Sequence, residues 1–189
     1  MSYLETNLLP LILGIKTTNT DSFIMQSAGL ENKNSQNSVL IQVGCKLEDF
    51  WNKVISDCTN NLIENDNIIS VGNKSYRLDH LFDTGSVIYY FKSACNVNFD
   101  SEKRPASNNK IQVVSSELED KYQKPVKTGY YIPCIREVPV EIQKRYANLN
   151  VYGVDWMTNT LKCNMFTVDE FFEFFREVVG SILEEKLYA

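Results

Sequence analysis

A single histidine, His80, stands among 189 residues. A Ser-His or Cys-His nucleophilic scheme would have to use it. Along an extended segment, however, it alternates away from its acidic neighbour Asp79. The expected role of His80 is a polar residue at a strand edge. Glycine is sparse, at eight residues, and none of them builds a Gly-rich phosphate loop or a G-x-S-x-G elbow. No apolar run reaches the roughly 18 residues of a membrane span. The opening "MSYLETNLLPLILGIK" has an apolar patch, but Glu5 precedes it and Pro10 interrupts it. With no basic front end and no small-residue cleavage site, it does not read as a signal peptide. The five cysteines (Cys45, Cys58, Cys95, Cys134 and Cys163) are scattered, and none pairs at a metal-type spacing. The expectation is reduced thiols in a cytoplasmic protein that touches no membrane.

What is present suits one domain with a substantial core. The hydrophobic share is 43% and the aromatic share 12%. Net charge is −5, which argues against indiscriminate nucleic-acid binding but leaves room for a local basic cleft. Residues 92–127 are that locally basic part, with seven Lys or Arg against five Asp or Glu.

Residues 17–38 are rich in Asn, Ser and Thr and read as a loop or arm ending in a short strand at Val39–Val43. From Gly44 onward, Leu47, Phe50, Trp51, Val54, Ile55, Cys58 and Leu62 follow helical spacing, with Glu48 in the first turn. Residues 65–75 read as a turn-rich connection. "SYRLDHLF" and "VIYYFKSACNV" then read as two strands of a hairpin closed by "DTG". Ile88, Tyr90, Lys92 and Ala94 share one face of the second strand, and Arg77, Asp79 and Leu81 one face of the first. An in-register hairpin puts Asp79 beside Lys92 and Ala94. A lysine on such an apolar strand needs a partner, and Asp79 is the candidate.

A helix is expected from near Asn108, with Ile111, Val114, Leu118 and Tyr122 as its apolar stripe. "GYYIPCIRE" reads as a strand after Gly129, with Pro133 marking an edge or an irregularity. "PVEIQKRYANL" reads as a short helix opened by Pro139, and "NVYGVDWMTNTL" as a further strand. The last helix starts at a capping box, Thr167 with Glu170, and Phe166 is placed to staple onto Phe171. Its buried face is Val168, Phe171, Phe172, Phe175, Val179 and Ile182. The predicted fold class is α/β, a central mixed β-sheet flanked by helices.

The remaining chemistry is acid plus lysine. Phosphodiester hydrolysis uses a divalent cation to offset phosphate charge and to acidify water. Carboxylates supply the hard oxygen ligands for Mg2+. The order of a helix bearing Glu48, a hairpin bearing Asp79 in "YRLDHLF", and the triplet Lys92-Ser93-Ala94 followed by "NVNFDSEK" resembles the core of the PD-(D/E)XK nuclease superfamily. The likeness is to type II restriction endonucleases in particular, and it covers residues 44–103. It implies a restriction-endonuclease-like fold over residues 1–189 and Mg2+-dependent cleavage of double-stranded DNA at specific sites by a homodimer. It also implies metal ligation by Glu48, Asp79 and position 94, with Lys92 serving the water. Lys103, Arg104, Lys110, Asn96 and Asn98 fall where DNA contacts are expected, with Asn108 and Asn109 nearby.

The triplet departs from the family pattern, which carries an acid at position 92 and a lysine at 94. Two accounts are open. In one, acid and lysine have exchanged places and Ala94 marks the lost acid, leaving an inactivated enzyme. In the other, Lys92 is a structural partner of Asp79 in a catalytically silent nucleic-acid-binding or assembly protein on the same fold.

Overall fold

The computed structural model describes residues 1–16, 36–62, 68–94, 104–145 and 150–188. In chain order the helices are α1 (Tyr3–Asn7), α2 (Leu9–Leu13), α3 (Gln36–Cys58), α4 (Arg104–Tyr122), α5 (Val140–Arg145), α6 (Val154–Leu161), α7 (Val168–Phe174) and α8 (Gly180–Tyr188). A π-helical turn, Phe175–Val179, joins α7 to α8. The strands are β1 (Asn60–Asn61), β2 (Ile68–Val71), β3 (Lys74–Arg77), β4 (His80–Asp83), β5 (Ile88–Ser93), β6 (Val126–Tyr131) and β7 (Val151–Tyr152). The chain forms two compact units, Met1–Phe50 with Met165–Ala189, and Trp51–Asn164. The stretch 44–103 runs through the boundary after Phe50.

In the first unit, Thr167 and Glu170 cap α7 reciprocally, as the sequence predicts, and Ser2 and Glu5, not among the predicted caps, do the same for α1. The rings of Phe50, Phe166 and Phe171 cluster with centroids 6.0 Å apart, Phe50 stacked on Phe171 and Phe166 tilted against both. Phe171 and Val179 of the last helical run are buried, whereas Val168, Phe172, Phe175 and Ile182 are half-buried. The strand expected at Val39–Val43 is helix instead, and α3 is already formed at Gln36, ahead of Gly44. A short β-branched run does not distinguish the two states, and here Val39, Val43, Leu47 and Phe50 bury one helical stripe. Residues 17–35 of the expected arm lie outside the described residues.

The second unit holds the sheet, in the order β1-β4-β5-β6-β7. β4 is antiparallel to β1 and β5, while β5, β6 and β7 run parallel. The structure is therefore mixed α/β, a five-stranded mixed sheet flanked by helices. β5 is made of β-branched and aromatic residues, the types that suit a pleated buried surface. Parallel neighbours need a crossover, and α4 provides it between β5 and β6. Its stripe Ile111, Val114 and Leu118 packs with Ile88, Tyr90 and Leu81 on one face of the sheet. Trp51, Phe82, Phe91 and Tyr131 are buried as well.

Four sequence expectations are corrected here. The first hairpin strand is broken: Lys74–Arg77 pairs with Ile68–Val71 in a separate two-stranded sheet, inside the stretch expected to be turn-rich, and only His80–Asp83 pairs with β5. Apolar residues alternate at Tyr76 and Leu78 but then fall at the adjacent Leu81 and Phe82, so the alternation is lost at Asp79-His80, where the strand breaks. β6 begins at Val126 rather than after Gly129 and ends before Pro133, with neighbours on both sides. "NVYGVDWMTNTL" is a two-residue strand followed by helix α6, whose Val154, Met157, Thr158 and Leu161 are buried at helical spacing. The helix expected from Asn108 is already formed at Arg104.

Candidate functional site

The β4–β5 hairpin turns through Gly85, whose φ of +100° suits a residue without a Cβ. Its pairing sets His80 opposite Phe91. One step further out, Asp79 faces Lys92 across the ladder. Lys92 Nζ donates to Asp79 Oδ1 at 2.8 Å and lies 2.6 Å from Oδ2. The Ser93 backbone N–H donates to Oδ2 at 2.9 Å. Both carboxylate oxygens are thus occupied by donors. The Asp79 side chain is 9% exposed and that of Lys92 is 21% exposed, so the pair is largely sheltered yet reachable from solvent.

Asp79 is held from behind as well. Asn52 Nδ2 donates to its carbonyl at 2.9 Å. The other end of the same amide, Oδ1, lies 2.8 Å from His80 Nδ1. His80 is wholly buried, not the edge residue expected from the sequence. Asn52 of α3 and the Tyr131 ring, whose centre lies 5.5 Å from that of the imidazole, close over it. Burial is the main reason the imidazole is pushed down to about 4, with the Lys92 charge adding to it and Asp79 opposing. Nδ1 carries the proton, and Nε2 has no hydrogen-bond partner among the described residues.

Two tyrosines and a second lysine complete the surroundings. Burial, then the charge of Asp79, holds the Tyr90 phenol above its usual range. Its hydroxyl has no partner among the described residues. Tyr130, opposite Lys92 on β6, donates its hydroxyl to Asn108 Oδ1 at 3.1 Å. Lys110, one and a half turns into α4, donates from Nζ to the Arg77 carbonyl at 2.5 Å and lies 5.9 Å from the centre of the Tyr76 ring. Burial, followed by repulsion from Lys92, holds its ammonium below the ordinary amine range.

Of the residues singled out by sequence, the structure brings together Asp79, Lys92 and Lys110. Ala94 follows β5, donates its N–H to the Tyr131 carbonyl at 2.9 Å and sits half-buried against the sheet core. Glu48 is half-buried on α3, in the portion belonging to the other unit. Arg104 is in the first turn of α4, and Asn109 is exposed on the same helix. Lys103, Asn96 and Asn98 lie outside the described residues. Sequence reasoning placed Tyr90 on the Lys92 face of β5 without giving it a role, and it missed Asn52 and Tyr130.

The Mg2+ implied by the resemblance does not fit these side chains. Asp79 spends both oxygens on Lys92 and Ser93. Among the described residues, no three or more His, Cys, Asp or Glu side chains gather where a metal ion could sit. Nor does any helix of the described residues have the length and apolarity to cross a membrane. No protein-family model matches the chain, and no curated protein matches it.

Proposed function

We propose that this chain is a sequence-specific double-stranded DNA-binding protein on a restriction-endonuclease-like fold. It has the architecture of a homodimeric, Mg2+-dependent type II endonuclease, with the cleavage centre closed by Lys92. The observation that carries the reading is the Lys92 ammonium on both oxygens of Asp79, across a hairpin joined by a helical crossover to a parallel strand. A positive side chain there neutralises the carboxylate that the family pattern would offer to a cation. The charge demand is met from within, and the present residues hold the site shut. A two-fold symmetric dimer suits a palindromic DNA site, because each subunit then meets the same half-site.

The test is restoration. The wild-type chain binds duplex DNA at low salt and leaves it intact with Mg2+. The double variant Lys92→Glu with Ala94→Lys rebuilds the acid-x-lysine order and yields discrete fragments from phage DNA. Cleavage by Ala94→Glu alone, with Lys92 retained, would instead favour the exchanged order of acid and lysine. A folded wild-type chain that ignores duplex DNA at low salt would overturn the reading.

A further inference from the structure

Around Asp79 the charges do not balance. The Asp79 carboxylate is paired with one ammonium group, Lys92 from β5, while a second, Lys110 from α4, is anchored two residues away on the Arg77 carbonyl. Lys92 and Lys110 lie near enough for their charges to repel. Two like charges are drawn together in a half-buried place only if the backbone fixes them there. Here β5 fixes one, and the crossover helix packed on the same sheet face fixes the other. Taken by themselves, Asp79, Lys92 and Lys110 carry one net positive charge, and the Arg77 side chain also repels Lys110. A cation is therefore disfavoured, and an anion would relieve the repulsion.

The donors are suited to an oxyanion. An ammonium has three N–H donors and no acceptor. Asp79 engages at most two on Lys92, and the Arg77 carbonyl engages one on Lys110. Each lysine keeps donor capacity, while Asp79, saturated by Lys92 and Ser93, holds Lys92 in place.

We propose that Asp79, Lys92 and Lys110 form an anion site that takes a phosphate oxygen directly on its two ammonium groups, with no divalent cation between. The inference rests on the DNA-binding reading for its natural ligand, a phosphodiester of duplex DNA. The same chemistry accepts free inorganic phosphate. Asp79 is then a positioning residue for Lys92, and the site grips the backbone where a nuclease would cut it.

The experiment uses the full chain and three probes. By fluorescence anisotropy, the wild-type chain binds a mixed-sequence duplex in excess EDTA, and added Mg2+ does not raise the affinity. Lys110→Gln weakens binding to all sequences alike and lowers the salt slope by about one, the signature of one lost phosphate contact. Lys110→Arg keeps the slope. In the second arm, the electron paramagnetic resonance signal of Mn2+ is unchanged by the wild-type chain and is reduced by Lys92→Glu. In the third arm, inorganic phosphate is followed by 31P NMR. Phosphate binding that depends on Lys110, without duplex binding, would support the anion site while removing DNA as its ligand. Duplex binding with a slope unmoved by Lys110→Gln would overturn the site while leaving the DNA-binding reading intact. Stoichiometric uptake of Mn2+ by the wild-type chain would also overturn it.

Discussion

Asn52 and His80 fix each other in the interior of the sheet unit, with Asn52 Oδ1 2.8 Å from His80 Nδ1. The pairing defines the imidazole tautomer, since an amide oxygen can only accept. It also orients the amide nitrogen of Asn52 toward the Asp79 carbonyl, 2.9 Å away. One side chain on α3 thereby positions both the histidine and the backbone of the candidate site. Asn52→Leu leaves a buried N–H and a sheltered carbonyl without partners. Each such group costs about 1–3 kcal/mol, so a loss of roughly 2–6 kcal/mol in unfolding free energy is expected. Urea denaturation followed by tryptophan fluorescence measures it. A loss below about 0.5 kcal/mol, the level of an ordinary surface change, would show that the network is not structural.

The same histidine makes the protein acid-sensitive. His80 is pushed down to about 4 from an ordinary value of 6.5, chiefly by burial. The unfolded chain thus binds a proton more readily than the folded one between these two values. Stability is fully present above pH 6.5 and drains away as the pH falls toward 4. At about 1.4 kcal/mol per unit, the loss amounts to about 3 kcal/mol. Unfolding measured from pH 7 to 4 should show this slope, and His80→Gln should flatten it. A wild-type profile that is level over this window would contradict the assignment.

Lys92 and Asp79 are expected to depend on each other. Removing the ammonium with Lys92→Met leaves a sheltered carboxylate facing, among the described residues, the Ser93 N–H and the more distant Lys110. Breaking a buried pair on one side costs about 3 kcal/mol or more, whereas removing both charges costs much less. A double-mutant cycle with Asp79→Asn should return a coupling of about 1–3 kcal/mol. Additive single and double losses would mean that the two groups do not share an energetic contact.

Much of this was legible in the sequence for physical reasons that act locally. The two-residue period of a strand put Asp79 and Lys92 on one face, and the hairpin turn set their register. The stripe Ile111, Val114 and Leu118 and the box Thr167–Glu170 are set by neighbours within one or two helical turns. What escaped depends on distant partners. The break between Arg77 and His80 arises because β3 finds Ile68–Val71 while β4 finds β5. The approach of Lys110 to Lys92 needs the crossover that lays α4 on the sheet. The depth of His80 follows from Asn52 on α3 and Tyr131 on β6, distant in sequence, which no local pattern announces.

Two glycines carry predictions of opposite sign. Gly129 lies in β6 where the chain before β7 passes close by, and a Cβ there would stand 2.4 Å from the Asn150 carbonyl oxygen. That oxygen accepts the Tyr130 N–H at 2.8 Å, so it cannot retreat without loosening the pairing of β6 with β7. Gly129→Ala should cost about 2–3 kcal/mol, in the range of overpacking within a core. Gly180 is helical, and its nearest neighbour to an added Cβ is the Phe175 carbonyl at 3.7 Å, an ordinary contact. Gly180→Ala should therefore raise stability by about 0.5–1 kcal/mol, because the unfolded chain loses freedom that the helix never used. Thermal unfolding of the two variants beside the wild-type chain checks both signs. A neutral Gly129→Ala would mean that the Asn150 segment can move aside, and with it the register that carries β7.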